Sequence, residues 1–145
     1  MAHAEGKITI DRPIHVVFDF LLEGKNNSLW RPSVLDVTQV AGTPTGVGAR
    51  YKQGLKGPGG RIDGDYEIVE SKPNEWIKFQ VIAGPARPTG SYRLEALGNS
   101  TQVTFTLDFQ PSGLARLMDG IIARTMQSEV QTLSNLKAYL ERQPG

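Results

Sequence analysis

The apolar positions change period along the chain, and the change marks its main elements. Between Ser100 and Gln110, Val103, Phe105, Leu107 and Phe109 alternate with Gln102, Thr104, Thr106 and Asp108, the signature of a strand with one buried face. Past Pro111-Ser112-Gly113 the spacing becomes helical through Leu114, Leu117, Met118, Ile121, Ile122, Met126, Val130, Leu133, Leu136 and Leu140. This predicts one long helix over 112–142 with Ser112 as its N-cap. At ~1.5 Å per residue it would reach roughly 40 Å, so it must lie across the sheet. Gly120 inside it costs about 1 kcal/mol relative to Ala, and is expected to permit a bend or a close approach of the sheet.

Upstream, Ser91 to Leu97 puts Tyr92 and Leu94 on one face and Arg93 and Glu95 on the other. The Gly98-Asn99 turn suits a tight hairpin into the next strand. Glu75 to Ile82 alternates likewise, with Ile77, Phe79 and Val81 opposite Trp76, Lys78 and Gln80. Turn residues at 42–48, 57–60, 73–74, 84–88 and 98–99 divide the region from Val34 to Pro111 into six predicted strands. Before it come a short alternating stretch, Lys7 to Asp11, and a helix from Pro13 to Gly24 through Ile14, Val17, Phe18, Leu21 and Leu22. A further short helical turn is predicted around Leu29 and Trp30. Residues 1–5 are expected to be mobile.

These elements describe an α+β chain, read as a single domain over 1–145. A curved antiparallel sheet of six or seven strands has one apolar face, and only the short early helices and the long terminal helix are available to cover it. A strongly twisted sheet meets a helix laid in its concavity better at the ends than in the middle. The middle is where a cavity is expected.

The order of Ile8-Thr9-Ile10-Asp11-Arg12-Pro13, Val17-Phe18, Trp30-Arg31-Pro32, Gly46-Val47-Gly48, Glu67-Ile68-Val69-Glu70-Ser71-Lys72-Pro73 and Pro111-Ser112-Gly113 before a long helix resembles the START-like (SRPBCC) superfamily, in particular its polyketide cyclase/dehydratase-like branch. The resemblance covers nearly the whole chain. It implies a helix-grip fold, as in START and Bet v 1-like proteins, whose central cavity takes lipids, polyketides or other apolar molecules.

Composition narrows the functional classes. Sixteen Lys and Arg against fifteen Asp and Glu leave a net charge of +1, with no basic stretch of the kind that tracks a phosphate backbone, so nucleic acid is not an expected partner. Cysteine is absent, which removes disulfides, thiolate nucleophiles and Cys-ligated metals, and fits a cytoplasmic location. No apolar run approaches the ~18 residues that span a bilayer.

The two histidines, His3 and His15, have no partner at metal-ligand spacing, and no Gly-x-Ser-x-Gly elbow is present. No metal or cofactor is indicated. Gly57-Pro58-Gly59-Gly60 and the glycines at 42–48 lack the Lys-Ser/Thr pair of a phosphate-binding loop and read as turns. The stiffer stretch 84–88 is either a gate over the cavity mouth or a plain connection. Asp63, Asp65 and Glu67 share one face of a strand and are expected to face water, opposite Ile62, Tyr66 and Ile68, with Gly64 as a candidate bulge.

The candidate ligand site consists of Tyr51, Gln53, Tyr66, Phe79, Tyr92, Leu94 and Phe105 on inward strand faces, with Met118, Ile122 and Met126 on the terminal helix. Trp30 joins them, either plugging one end of the cavity or stapling the short helix. Phenols can orient a ligand oxygen while their rings line an apolar wall, and thioethers adapt to irregular shapes. Lys78, Arg93, Glu95 and Asp108 fall on outward faces, leaving the pocket with phenols and an amide but no evident base. Three readings follow: a carrier of an apolar or aromatic small molecule, a polyketide aromatase/cyclase or dehydratase-type enzyme, and an adaptor using the same fold. A monomer or homodimer is expected.

Overall fold

The structure, a computed structural model, describes residues 2–43, 46–57, 59–84, 86–110 and 119–143. Its strands are β1 (Ala2–Ile10), β2 (Val34–Ala41), β3 (Arg50–Gly57), β4 (Gly60–Asp63), β5 (Tyr66–Lys72), β6 (Trp76–Val81), β7 (Thr89–Leu97) and β8 (Ser100–Phe109). The helices are α1 (Ile14–Leu22), α2 (Asn27–Trp30), α3 (Asp119–Gln131) and α4 (Leu133–Arg142), with a 3₁₀ turn at Gly24–Asn26 ahead of α2. The strands form one antiparallel sheet in the order β1-β8-β7-β6-β5-β3-β2, with β4 paired to β3. The chain is α+β, with the sheet curved around the C-terminal helical region.

Alternation works as the pattern predicts. Tyr92 and Leu94 on β7, Ile77 and Phe79 on β6, and Val103, Phe105 and Leu107 on β8 are buried. The β7–β8 hairpin pairs Leu97 with Ser100 across Gly98, whose φ of +66° is open to glycine at little cost.

Four features differ from expectation. The first strand begins at Ala2 rather than Lys7, so residues 2–5, expected to be mobile, pair with β8 in the register Ala2↔Phe109 to Glu5↔Thr106. Ala2 and Ala4 are buried, but alanine is too weakly apolar to announce a strand in sequence. Seven strands, not six, lie between Val34 and Phe109, because the chain breaks at Gly64-Asp65 and both β4 and β5 pair with β3.

The terminal helix is also interrupted. At Thr132 the hydroxyl donates back to the Glu129 carbonyl at 2.5 Å, and the Thr132 amide makes a tight bond to the same oxygen at 3.0 Å, so α3 and α4 are distinct segments. The expected Ser112 cap and residues 112–118 lie outside the described residues. Finally, a side chain at Gly120 would meet nothing among the described residues. The close approach of helix and sheet is made by β1 instead, where a Cβ on Gly6 would lie 2.7 Å from the Val130 carbonyl oxygen.

Met126, Val130, Leu133, Leu136 and Leu140 form the buried stripe of α3 and α4, against β1 and its neighbours. Arg12 fastens the far end. Its guanidinium donates to the carbonyls of Glu141 and Gln143 at 2.7 Å each, while the Asp11 amide donates to the Glu141 carboxylate at 2.8 Å.

Candidate functional site

The concave face of the sheet carries a continuous series of aromatic rings. Antiparallel register sets Tyr51 opposite Tyr66 and Tyr92 opposite Phe105, while Phe79 faces Ile68 and lies beside both Tyr66 and Tyr92. Ring centroids are 5.1 Å apart for Tyr51–Tyr66, 5.5 Å for Tyr66–Phe79, 5.8 Å for Phe79–Tyr92 and 4.7 Å for Tyr92–Phe105. Trp30 caps this row edge-on, 6.2 Å from Tyr92 and 6.1 Å from Phe105. It therefore packs on the end of the row and also holds α2 to the sheet.

Two polar centres face the rings from the helical side. In the first, the Asn27 amide donates to the Tyr66 hydroxyl at 2.9 Å and to the Gln53 Oε1 at 3.0 Å, and Gln53 passes the chain on to the Gly64 carbonyl at 3.4 Å. In the second, Arg31 Nε donates to Glu129 Oε2 at 3.0 Å, Ser33 donates to the other carboxylate oxygen, and the Arg31 charge acts on the neighbouring Tyr92 phenol. The Arg31 and Glu129 side chains are only 9% and 14% exposed, so this pair is screened far less than the ion pairs on the outer faces.

Electrostatics keep the groups in definite states. Burial pushes the Tyr92 phenol up to about 12, against an opposing pull from Arg31. Burial, helped by the neighbouring Tyr92 and Tyr51, raises Tyr66 well above its ordinary value. Both are therefore protonated at neutral pH; the Tyr66 hydroxyl accepts from Asn27 and each phenol keeps a proton to donate, so neither is a base. Burial works against the charge on Arg31, but Glu129 outweighs it and the guanidinium titrates above its usual range.

These elements enclose a cavity of ≈10 Å³ lined by Leu21, Asn27, Arg31, Tyr66, Ile68, Ile77, Phe79 and Tyr92. That is room for about one water molecule. Of the residues singled out in the sequence, Tyr66, Phe79 and Tyr92 line it directly. Trp30, Tyr51 and Phe105 touch those residues through their rings, and Gln53 reaches them through Asn27. Leu94 and Met126 are buried in the surrounding core, Ile122 is half-buried, and Met118 lies outside the described residues.

The pocket also holds charge, which corrects the expectation of phenols and an amide alone. Asn27, Arg31 and Glu129 were not anticipated. A signal for one was present: Glu129 interrupts the apolar stripe of Met126, Val130 and Leu133 at a position facing inward. Asn27 and Arg31 sit in a short turn with too few residues to show a face. The described residues of the stretch 84–88 contribute nothing to the cavity lining; Gln80 and Arg87 tie it down through the carbonyls of Arg87 and Gly84. Asp63 is exposed, Glu67 reaches Arg50 at 2.6 Å, and the half-buried Asp65 carboxylate accepts from the Gln53 backbone amide at 3.2 Å. Among the described residues, no three His, Asp or Glu side chains are grouped to hold a metal ion, and no helix is long and apolar enough to cross a membrane.

The same architecture occurs in solved structures at low sequence identity. A protein from Thermus thermophilus superposes with a TM-score of 0.79 at 18% identity, over 94% of each chain. A START superfamily protein from Mycobacterium smegmatis gives 0.76 at 10% identity, covering 98% of this chain and 99% of its own. The Zhui aromatase/cyclase of a Streptomyces species gives 0.69 at 18% identity, covering 94% and 88%. No curated protein matches by sequence. Residues 1–141 match the family described as polyketide cyclase / dehydrase and lipid transport. With that match, the aromatic-lined concavity and the helix-covered sheet, the chain belongs to this family of the START-like (SRPBCC) superfamily.

Proposed function

We propose that the protein binds an apolar or aromatic small molecule bearing a carbonyl or hydroxyl oxygen, between the sheet and the helices, and sequesters or carries it. The observation that supports this most directly is the convergence of Asn27, Tyr66, Arg31 and Tyr92 on one small cavity whose remaining lining is apolar. Such a site gains affinity from apolar burial, at ~25 cal/mol per Å², and orientation from a few placed donors. Because the unliganded space is only ≈10 Å³, entry requires the side chains of Phe79 and its neighbours to move. Tyr66, Phe79 and Tyr92 are the first contacts in this reading, with Trp30, Tyr51, Gln53 and Phe105 around them and Leu94, Ile122 and Met126 as outer packing. A cytoplasmic, monomeric or homodimeric single domain over 1–145 belongs to the same reading.

The enzyme reading gains one specific support. Arg31 next to the protonated Tyr92 is a pair of donors that would stabilise negative charge developing on a carbonyl oxygen during enolisation. Glu129 is the nearest carboxylate, but it is engaged by Arg31 and Ser33, so its use as a base requires that a substrate take its place on Arg31.

Native mass spectrometry of protein purified gently from its own host, followed by denaturing release, tests binding. A stoichiometric apolar or aromatic molecule is expected, and it should be lost in a Phe79→Asp variant that remains folded. Retention of the molecule by that variant would remove the ligand from this interior. Conversion of a polyketide mimic that disappears in Tyr92→Phe would favour the enzyme over the carrier.

A further inference from the structure

A second concavity, distinct from the interior, opens at the surface where α2 packs against α4. It encloses ≈270 Å³, just under the ~300 Å³ at which small-molecule sites begin. Its apolar side is built by Leu29, Trp30, Pro32 and Ala138, and its polar side by Ser28, Asn135 and Arg142.

The donors of this groove are unspent. Arg12, Arg31, Arg50 and Arg61 each hold a carboxylate or a carbonyl. The Arg142 guanidinium has no such partner among the described residues, and neither the Ser28 hydroxyl nor the Asn135 amide makes a side-chain hydrogen bond there. The indole Nε1 of Trp30 is fully buried and has no hydrogen-bond partner among the described residues, which is uncommon for a buried donor. Leu29 meanwhile leaves 49% of its surface in solvent. Arg142 is the one charged group of the lining and is donor-only, Ser28 and Asn135 can add donors, and the opposite wall is apolar; that combination suits an anion with a compact hydrophobic body.

We infer that this groove is a binding site for a small carboxylate carrying an apolar ring. The carboxylate takes the planar fork of Arg142 in the two-point geometry that guanidinium favours, and the ring lies against Leu29, Pro32 and the edge of Trp30. Arg142 stands in the last turn of α4, where the helix dipole by itself repels an anion. Affinity therefore depends on that one side chain. The groove shares Trp30 with the wall of the interior, but its polar groups, Ser28, Asn135 and Arg142, belong to neither the Asn27 nor the Arg31 centre.

The test is a titration of the full chain with naphthoate, and with neutral naphthylmethanol as the uncharged counterpart, following the indole N–H resonance of Trp30 in a Trp76→Phe background. Naphthoate is expected to shift that resonance saturably, with affinity falling about tenfold in Arg142→Ala, the scale of a lost charge-assisted bond. Naphthylmethanol should bind equally weakly to both proteins. Ala138→Trp, which fills the groove without touching its charge, should abolish the response. The inference is overturned by an absence of saturation, by unchanged naphthoate affinity in both Arg142→Ala and Ala138→Trp, or by a loss seen in Tyr66→Phe instead, which would place the ligand in the interior.

Discussion

Arg31 and Glu129 meet at 3.0 Å across the interior, joining the residue that follows α2 to the last turn of α3. This is the one ion pair of the described residues in which both side chains are largely withdrawn from solvent. It links the two helical covers of the sheet directly above Tyr92.

Removing one partner leaves the other charge stranded. Glu129→Leu is expected to lower unfolding free energy by about 3 kcal/mol, the lower end for a broken buried pair because both groups keep slight solvent access. The double replacement Arg31→Met with Glu129→Leu should recover most of that loss. Urea denaturation of the three proteins measures both, and a double variant as unstable as the single one would show that Arg31 matters through packing instead.

Asn27 holds two acceptors with one amide. Asn27→Leu strands the Gln53 Oε1 and removes the donor to Tyr66, an expected cost of about 2 kcal/mol, whereas Tyr66→Phe deletes only one hydroxyl and should cost about 1 kcal/mol. The same denaturation experiment ranks them. Equal losses would mean that Asn27 contributes through Tyr66 alone.

Alkaline pH should weaken the fold through the tyrosines. Tyr92 has its ordinary value of 10.0 when unfolded and about 12 when folded, so the folded state holds the proton more tightly. The stabilisation is fully present below pH 10 and is lost as pH rises toward 12, where the unfolded chain gives up its proton first. Within that window the Tyr92 contribution falls by about 1.4 kcal/mol per pH unit. Unfolding free energies of the parent and Tyr92→Phe should converge on raising the pH from 10 to 12; a constant difference would mean the phenol titrates normally in the folded protein.

Gly6 is where helix and sheet touch most closely. Gly6→Ala puts a methyl 2.7 Å from the Val130 carbonyl, a contact that backbone must move to relieve, at an expected cost of about 1–3 kcal/mol. Gly120→Ala, which meets nothing among the described residues, should instead stabilise α3 by up to about 1 kcal/mol. Thermal melts of both should move in opposite directions, and a neutral Gly6→Ala would show that α3 yields without penalty at this crossing.

The sequence by itself determined the sheet faces and the helical stripe. Tyr92, Leu94, Phe79, Val103 and Phe105 are inward because a strand must alternate, and Met126, Val130, Leu133, Leu136 and Leu140 are inward because a helix repeats every 3.6 residues. Local periodicity carries that information, and the order of the elements carried the family. Tertiary structure alone decided what those faces enclose. Ala2 and Ala4 became strand only because β8 offered a partner; the break at Thr132 depends on a hydroxyl choosing a backbone acceptor. Asn27, Arg31 and Glu129 meet the tyrosines from segments about a hundred residues apart, and no period in the chain records a contact made across the core. The same holds for the space between them, since the volume left in the middle is set by how far rings from three strands and side chains from the two short helical segments before β2 reach toward one another.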